Sequence, residues 1–297
     1  MSLRHRLFRE KSTSAWMIIS LIIMLLMPVL LAIGLFLKSS PILHESSFSD
    51  IISGSDWKPM QGKFGFLPFI LSSLWVTVVS VVIAVPVCIL TAIYLTQYAK
   101  KRILSFMQPV IDILSGLPSV IYGVWGILII VPFVKNSIAP LFGIQTSGYT
   151  ILTGALVLSV MIIPFILNIL IEIFRTIPEE LTEASLSVGA TKWESIKYVL
   201  MRKAFPGIIS ATGLGVARAF GETIAVLMVV GNVVQIPGSI FDAGYPLPAL
   251  IANNYGEMLS IPKYDSALML AALILFVIVL LFNFLSRMAI IQSEKNH

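Results

Sequence analysis

Charge is scarce in this chain. Lysine, arginine, aspartate and glutamate make up 12% of its 297 residues, 57% are hydrophobic, and the mean hydropathy is +0.95. That balance excludes a disordered chain and a water-soluble domain, because no aqueous fold covers so much apolar surface. A bilayer supplies a nonaqueous solvent for it, so the chain reads as an integral membrane protein. Cysteine is nearly absent. The lone Cys88 has no internal disulfide partner, and its apolar surroundings fit a small buried hydrophobe. Also missing are a Gly-x-x-x-x-Gly-Lys-Ser/Thr phosphate loop, a His-Glu-x-x-His pair and a Gly-x-Ser-x-Gly elbow. Neither ATP hydrolysis nor familiar membrane catalysis is encoded, and no catalytic residue is assigned. His5, His44 and His297 stand far apart near loops or ends, so no metal site or cofactor is expected.

Six apolar stretches approach the roughly 20 residues that a helix needs to cross the hydrocarbon core. They are 15–37, 67–98 with Pro86 inside, 104–134 broken near Gly116, Leu117 and Pro118, 147–171, 208–231 and 267–290. The expected fold is all-α and polytopic, with six transmembrane helices. Six spans put both termini on one side. That side holds Arg4, Arg6, Arg9, Lys11, Lys100, Lys101, Arg102, Arg175, Lys192, Lys197, Arg202, Lys203, Arg287 and Lys295, against Lys38, Lys58, Lys63, Lys135 and Lys263 on the other. Basic residues mark the cytoplasmic side, so both termini are expected there, and the net charge of +5 reflects topology rather than nucleic acid. The first run is too long for a secretory leader and no small-x-small site follows it, so it reads as an uncleaved helix. The expected parts are a tail 1–14, a first span 15–37, an outer loop 38–66 with Trp57 and Phe64 as interfacial anchors, a core 67–290 and a tail 291–297.

Residues 176–207 form the one long polar stretch on the cytoplasmic side. Thr176 precedes Glu179 by three and Thr191 precedes Glu194 by three, so each pair predicts a capping box that starts a short helix. Between them Gly189 can take the left-handed conformation that reverses the chain. Ile177, Leu181, Ala184 and Val188, then Trp193, Ile196 and Leu200, recur at helical spacing, so each helix has one apolar face. Such a hairpin fits either a membrane-interface element or a docking element for a cytoplasmic partner.

Glu183, Ala184 and Ser185, followed after three residues by Gly189, resemble the E-A-A-x-x-x-G loop of ABC-importer permeases, which docks into the ATP-binding subunits. Arg202 departs from the longer pattern, which usually has proline there. Residues 116–123 (Gly-Leu-Pro-Ser-Val-Ile-Tyr-Gly) look like the third-span motif of phosphate-importer permeases, and 217–223 (Ala-Arg-Ala-Phe-Gly-Glu-Thr) resemble their fifth-span motif. The outer segments 56–59 and 64–68 are similar to the PstC member rather than its PstA partner. The resemblance runs from about 56 to 289. It implies a type I ABC-importer permease in a bacterial inner membrane that translocates phosphate and has no enzymatic activity of its own. The implied partners are a homologous PstA-like permease, two ATP-binding subunits, an extracytoplasmic phosphate-binding protein and membrane lipid. It also assigns ATPase coupling to Glu183, Ala184, Ser185 and Gly189.

Arg218 is the eleventh residue from Ile208, so it lies about 15 Å along the fifth span. Glu222 is four residues on, which on a continuous helix puts both charges on one face that must point into the protein interior. Ala211, Gly215, Ala219 and Thr223 form a small-residue stripe that permits close helix approach. The pair fits a buried ion pair that fixes helix register. It also fits a substrate pathway, the reading preferred here, in which Arg218 offers phosphate a bidentate site and Glu222 partners the empty guanidinium and keeps substrate from staying bound. The resemblance places functional residues at both positions. Asp112 in the third span fits a pathway acid or an interfacial residue, and the outer loop 237–258 fits a binding-protein surface or a plain connection. The competing class is a stand-alone secondary anion transporter or channel, coupled to an ion gradient through broken spans.

Overall fold

The structure, a computed structural model, describes residues 3–44, 47–256, 261 and 263–295, with side chains described for 12–44, 47–256, 261 and 263–292. The chain starts in α1 (Leu3–Leu43), which overruns the predicted first span at both ends and absorbs most of the predicted tail and the start of the outer loop. A short α2 (Phe48–Ser53) and a two-residue antiparallel hairpin, β1 (Trp57–Lys58) with β2 (Lys63–Phe64), lead into α3 (Leu67–Ile93), which continues through a π-helical turn to Tyr98. Then come α4 (Lys101–Gly116), α5 (Ser119–Leu141, with two π-helical turns) and α6 (Ile151–Thr176). α7 (Glu179–Ser187), α8 (Met201–Gly221), α9 (Ile224–Leu227), α10 (Leu247–Asn254) and α11 (Tyr264–Lys295) complete it.

Five helices among the described residues are long and apolar enough to cross a membrane: Ser12–Leu43, Leu67–Tyr98, Ser119–Leu141, Ile151–Thr176 and Tyr264–Gln292. One predicted break is present and one predicted span needs correction. The third span, 104–134, is two helices as its sequence suggests, because Pro118 disfavours a helical conformation at Leu117, whose ψ is 137°. The Tyr122 hydroxyl donates to the Leu114 carbonyl at 2.7 Å, tying α5 back to α4 across the break. The fifth, 208–231, stops at Gly221, and α9 beyond it is a separate turn. The outer loop 237–258 is not a plain loop, since it contains α10; its last residue, Met258, lies outside the described residues. α11 carries the helix through most of the predicted tail 291–297, of which Asn296 and His297 lie outside the described residues.

α6 is the hub. Sixteen of its 26 residues are buried, and α3 lies along it with Cys88 fully buried at the seam, its Sγ 3.5 Å from the Ile163 carbonyl. α1 is the opposite case: its apolar window has no buried residue, so its side chains are left for lipid while it rests along α11. At the outer end a second core gathers Phe64, Phe66, Phe69, Tyr245 and Tyr264 around Trp57, whose ring is 5.0 Å from Phe69 and 6.0 Å from Tyr264. Trp57 and Phe64 are therefore packing residues of a folded outer cap.

Candidate translocation and coupling sites

α8 reaches its site by close packing on α6. Ala211, Gly215 and Ala219 are buried, and a Cβ at Gly215 would sit 2.5 Å from Ile166 Cδ1, so a larger residue there would have to push the Ile166 side chain aside. That contact sets Arg218 beside α6, with its guanidinium carbon 4.9 Å from the Phe165 ring centroid. Arg218 is exposed on this chain, which corrects the expectation that it faces the chain's own interior.

The predicted partnership with Glu222 is also corrected. The helix ends at Gly221, Glu222 is extended with ψ 126°, and its Oε1 accepts from the Ala225 N–H at 3.1 Å, closing the first turn of α9. A spacing of four places two side chains on one face only while the helix continues. Here the carboxylate finds orphan backbone donors and turns toward them. Among the described residues Arg218 forms no ion pair, so its fork of N–H donors is uncommitted to any carboxylate. α9 packs on α5, where a Cβ at Gly123 would lie 2.5 Å from Met228 Sδ and 3.3 Å from Ala225 Cα. The 116–123 motif thus packs against the short helix that follows the 217–223 motif.

The first arm and tip of the hairpin are open to their surroundings. Glu183, Ala184 and Gly189 are exposed, Ser185 is half-buried, and no residue of α7 is buried. Gly189 has φ +90°, the left-handed region, and the N–H groups of Gly189 and Ala190 donate back to Leu186 and Ser185. The Thr191–Glu194 capping box is present: the Thr191 hydroxyl accepts from the Glu194 N–H, and Glu194 Oε2 accepts from the Thr191 N–H at 2.8 Å and its hydroxyl at 2.7 Å. These bonds hold the Glu194 carboxyl below the usual carboxylate range.

The other predicted box is wrong. Thr176 is the last residue of α6, its hydroxyl donates to the Ile173 carbonyl at 2.8 Å, and α7 starts behind Pro178 without a side-chain cap. Nor does the second hairpin helix end. The turn Lys192–Glu194, a π-helical turn Ser195–Leu200 and α8 run on unbroken, with Arg202 mid-helix where the family's usual proline is missing. Ile196 and Leu200 are buried in the main core, so the second arm is rooted in the membrane domain. Trp193, Val188, Leu186 and Leu181 remain exposed at 54%, 83%, 43% and 38%. This is an apolar knob without a cover of its own.

Asp112 accepts a hydrogen bond from Asn168 Nδ2 of α6 at 2.9 Å, so it is tied to the hub and does not stand alone. Asn168 went unnoticed from sequence, although a lone amide inside the run 147–171 was the available signal. In the outer loop, Asp242 accepts from the Gly238 and Ser239 N–H groups, and the Tyr245 hydroxyl accepts from Asn253 and Asn254, which makes these residues parts of the cap.

Five apolar helices of membrane length, a helix break close to an arginine without a described ion pair and an exposed helical hairpin make a polytopic membrane component. The chain belongs to the family described as "Binding-protein-dependent transport system inner membrane component", whose pattern matches residues 84–291. It is 36% identical over 277 residues to the "Probable ABC transporter permease protein YqgH" of Bacillus subtilis (strain 168), spanning 91% of this chain and 88% of that one. It is also 34% identical over 277 residues to the "Phosphate transport system permease protein PstC" of Mesorhizobium japonicum, spanning 89% and 84%. In fold it is similar to a chain of a bacterial alginate ABC transporter crystallised in complex with an alginate pentasaccharide-bound periplasmic protein, at TM-score 0.64 and 15% identity over 96% of this chain and 95% of that one. It is accordingly a PstC-like, multi-pass inner-membrane permease of an ABC importer.

Proposed function

We propose that this chain is the PstC-like half of an ATP-driven phosphate importer, with Arg218 as the residue that meets the anion. The reading rests on one observation: an arginine on a helix packed against a membrane-length helix, exposed on its own chain, laid over Phe165 and unpaired with any described carboxylate. Such a charge is too costly to face lipid, so it faces a passage or a second subunit. A planar fork of donors matches two oxygens of phosphate. Glu222 supports this site indirectly. By capping α9 it fixes the break in the fifth span and keeps its negative charge off the guanidinium.

In this reading a PstA-like permease completes the pathway, two ATP-binding subunits grip Glu183, Ala184, Ser185 and Gly189 of each hairpin, and a phosphate-binding protein delivers substrate on the outer side. The names of its relatives and the exposed knob support these assignments. Both termini then lie in the cytoplasm with the hairpin. The test is ATP-dependent uptake of labelled phosphate by proteoliposomes holding all the subunits. Arg218→Ala should abolish uptake with assembly intact. Arg218→Lys should lose ~10- to 100-fold, because forfeiting charge-assisted hydrogen bonds costs ~1.5–3 kcal/mol. Uptake by this chain alone without ATP would make it a secondary transporter, and equal uptake of sulfate would remove the phosphate assignment.

A further inference from the structure

α6 carries a polar stripe below Arg218. Phe165, which lies under that guanidinium, is followed on the same face by Asn168, Glu172 and Arg175, at steps of three, four and three. Ten residues of helix extend about 15 Å. α4 sets Gln108 and Asp112, one turn apart, against this stripe. The five polar side chains form one ladder: Asn168 Nδ2 donates to Asp112 Oδ1 at 2.9 Å, Gln108 Nε2 to Asn168 Oδ1 at 3.4 Å, Arg175 Nη2 to Gln108 Oε1 at 3.4 Å, and Arg175 Nη1 to Glu172 Oε1 at 2.9 Å.

Asp112, Glu172 and Arg175 are exposed, and Gln108 and Asn168 are half-buried. A strip of this polarity is costly against lipid, whereas α1 offers lipid an unbroken apolar surface. The strip therefore lies against water or a second subunit, and its three exposed charged groups favour water. Its charges also differ from the site above. The ladder holds two carboxylates and one guanidinium, and that guanidinium is already paired with Glu172. An anion leaving Arg218 meets no free cation here.

Resting on the reading that Arg218 is the anion station, we propose that the Asp112–Asn168–Gln108–Arg175–Glu172 ladder is the wall of the water-filled exit on the cytoplasmic side, built so that a departing oxyanion is not held again. Glu172 is a positioning residue: it occupies Arg175 so that the arginine does not become a second trap.

The experiment uses the complete importer in inside-out vesicles. With Cys88 replaced by serine the chain has no other cysteine, since it contains only one. Gln108→Cys and Asn168→Cys are compared with Leu25→Cys on α1 for modification by membrane-impermeant thiosulfonates. Both ladder positions should react at least ~10-fold faster than Leu25→Cys, a ratio worth ~1.4 kcal/mol of access, and faster with a cationic reagent than with an anionic one. Rates equal to the lipid-facing control, or a preference for the anionic reagent, overturn the proposal. Labelling does not depend on which solute is carried, so failure of the phosphate assignment leaves this result readable.

A transport measurement tests the positioning role without a new cysteine. Glu172→Gln should lower the maximal uptake rate with little change in half-saturation, and the double variant Glu172→Gln/Arg175→Gln should restore it. An unchanged maximal rate in the single variant, or no rescue in the double, removes that role.

Discussion

Two glutamates in this chain start helices, Glu194 in the hairpin and Glu222 in the broken span, and they teach opposite lessons about reading such a sequence. Glu194 sits three residues after Thr191, in a polar stretch where the chain must begin a new helix, and the reciprocal bonds form as the pattern requires. Glu222 sits in an apolar run, where a hydropathy window treats it as one charge on a continuing helix. The carboxylate instead captures the Ala225 N–H and the helix stops. In a low-dielectric setting an unmet backbone donor is as demanding as a nearby charge. A glutamate beside a flexible glycine can satisfy the donor.

The comparison breaks most visibly at Gly189. Its φ of +90° lies where side chains are strained, so Gly189→Val should cost the hairpin turn ~1–3 kcal/mol and disorder the knob. No neighbour crowds this position, so the whole penalty comes from the backbone. ATPase activity stimulated by the loaded binding protein should fall sharply while the permease pair still assembles. If stimulated ATPase activity persists in this variant, the hairpin is not the coupling element.

A smaller effect sharpens the other half. If Glu222 acts as a cap, Glu222→Gln keeps an accepting oxygen and should retain most uptake, whereas Glu222→Ala loses the bond at a cost of ~1 kcal/mol and should lower uptake several-fold. If the carboxylate charge were needed at Arg218, the two variants would be equally damaged. Parallel uptake curves for both decide between these roles.

Local signals were legible wherever one residue controls the backbone. Pro118 marked the break in the third span, Gly189 the reversal, and Thr191 with Glu194 the restart. Signals that depend on competition between neighbours were misread. Thr176 had a choice between capping a helix to come and bonding the carbonyl behind it, and Pro178 decided the matter by starting α7 afresh. Helix lengths were underestimated because α1 and α11 extend through polar residues beyond any apolar window. The ladder on α4 and α6 was out of reach for another reason: apart from the local Arg175–Glu172 pair, its bonds join residues 56 to 67 positions apart in the chain, and no local period encodes those. Arg218 stood out in the sequence as a charge in an apolar run, yet its surroundings came from the packing of Gly215 on Ile166.

The smallest predicted effect isolates the charge in the hairpin cap. Glu194 has its carboxyl lowered by bonds from the Thr191 backbone and hydroxyl, so the folded chain releases this proton more readily than the unfolded one. The sign follows: the contribution is fully present above the ordinary glutamate value of about 4.3 and fades as pH falls through the lowered folded value. Thr176→Ala, which removes no cap, should behave as the parent chain across this range. Glu194→Gln keeps an acceptor but cannot titrate, so the parent should be slightly more heat-stable than this variant at pH 7, and the gap should close on acidification toward pH 3. Hydrogen exchange at the Thr191 and Glu194 amides, followed against pH in both proteins, reads this locally and avoids the many other carboxylates of an assembled importer. A gap that stays constant with pH would mean that the bond geometry alone, without the negative charge, starts the second arm of the hairpin.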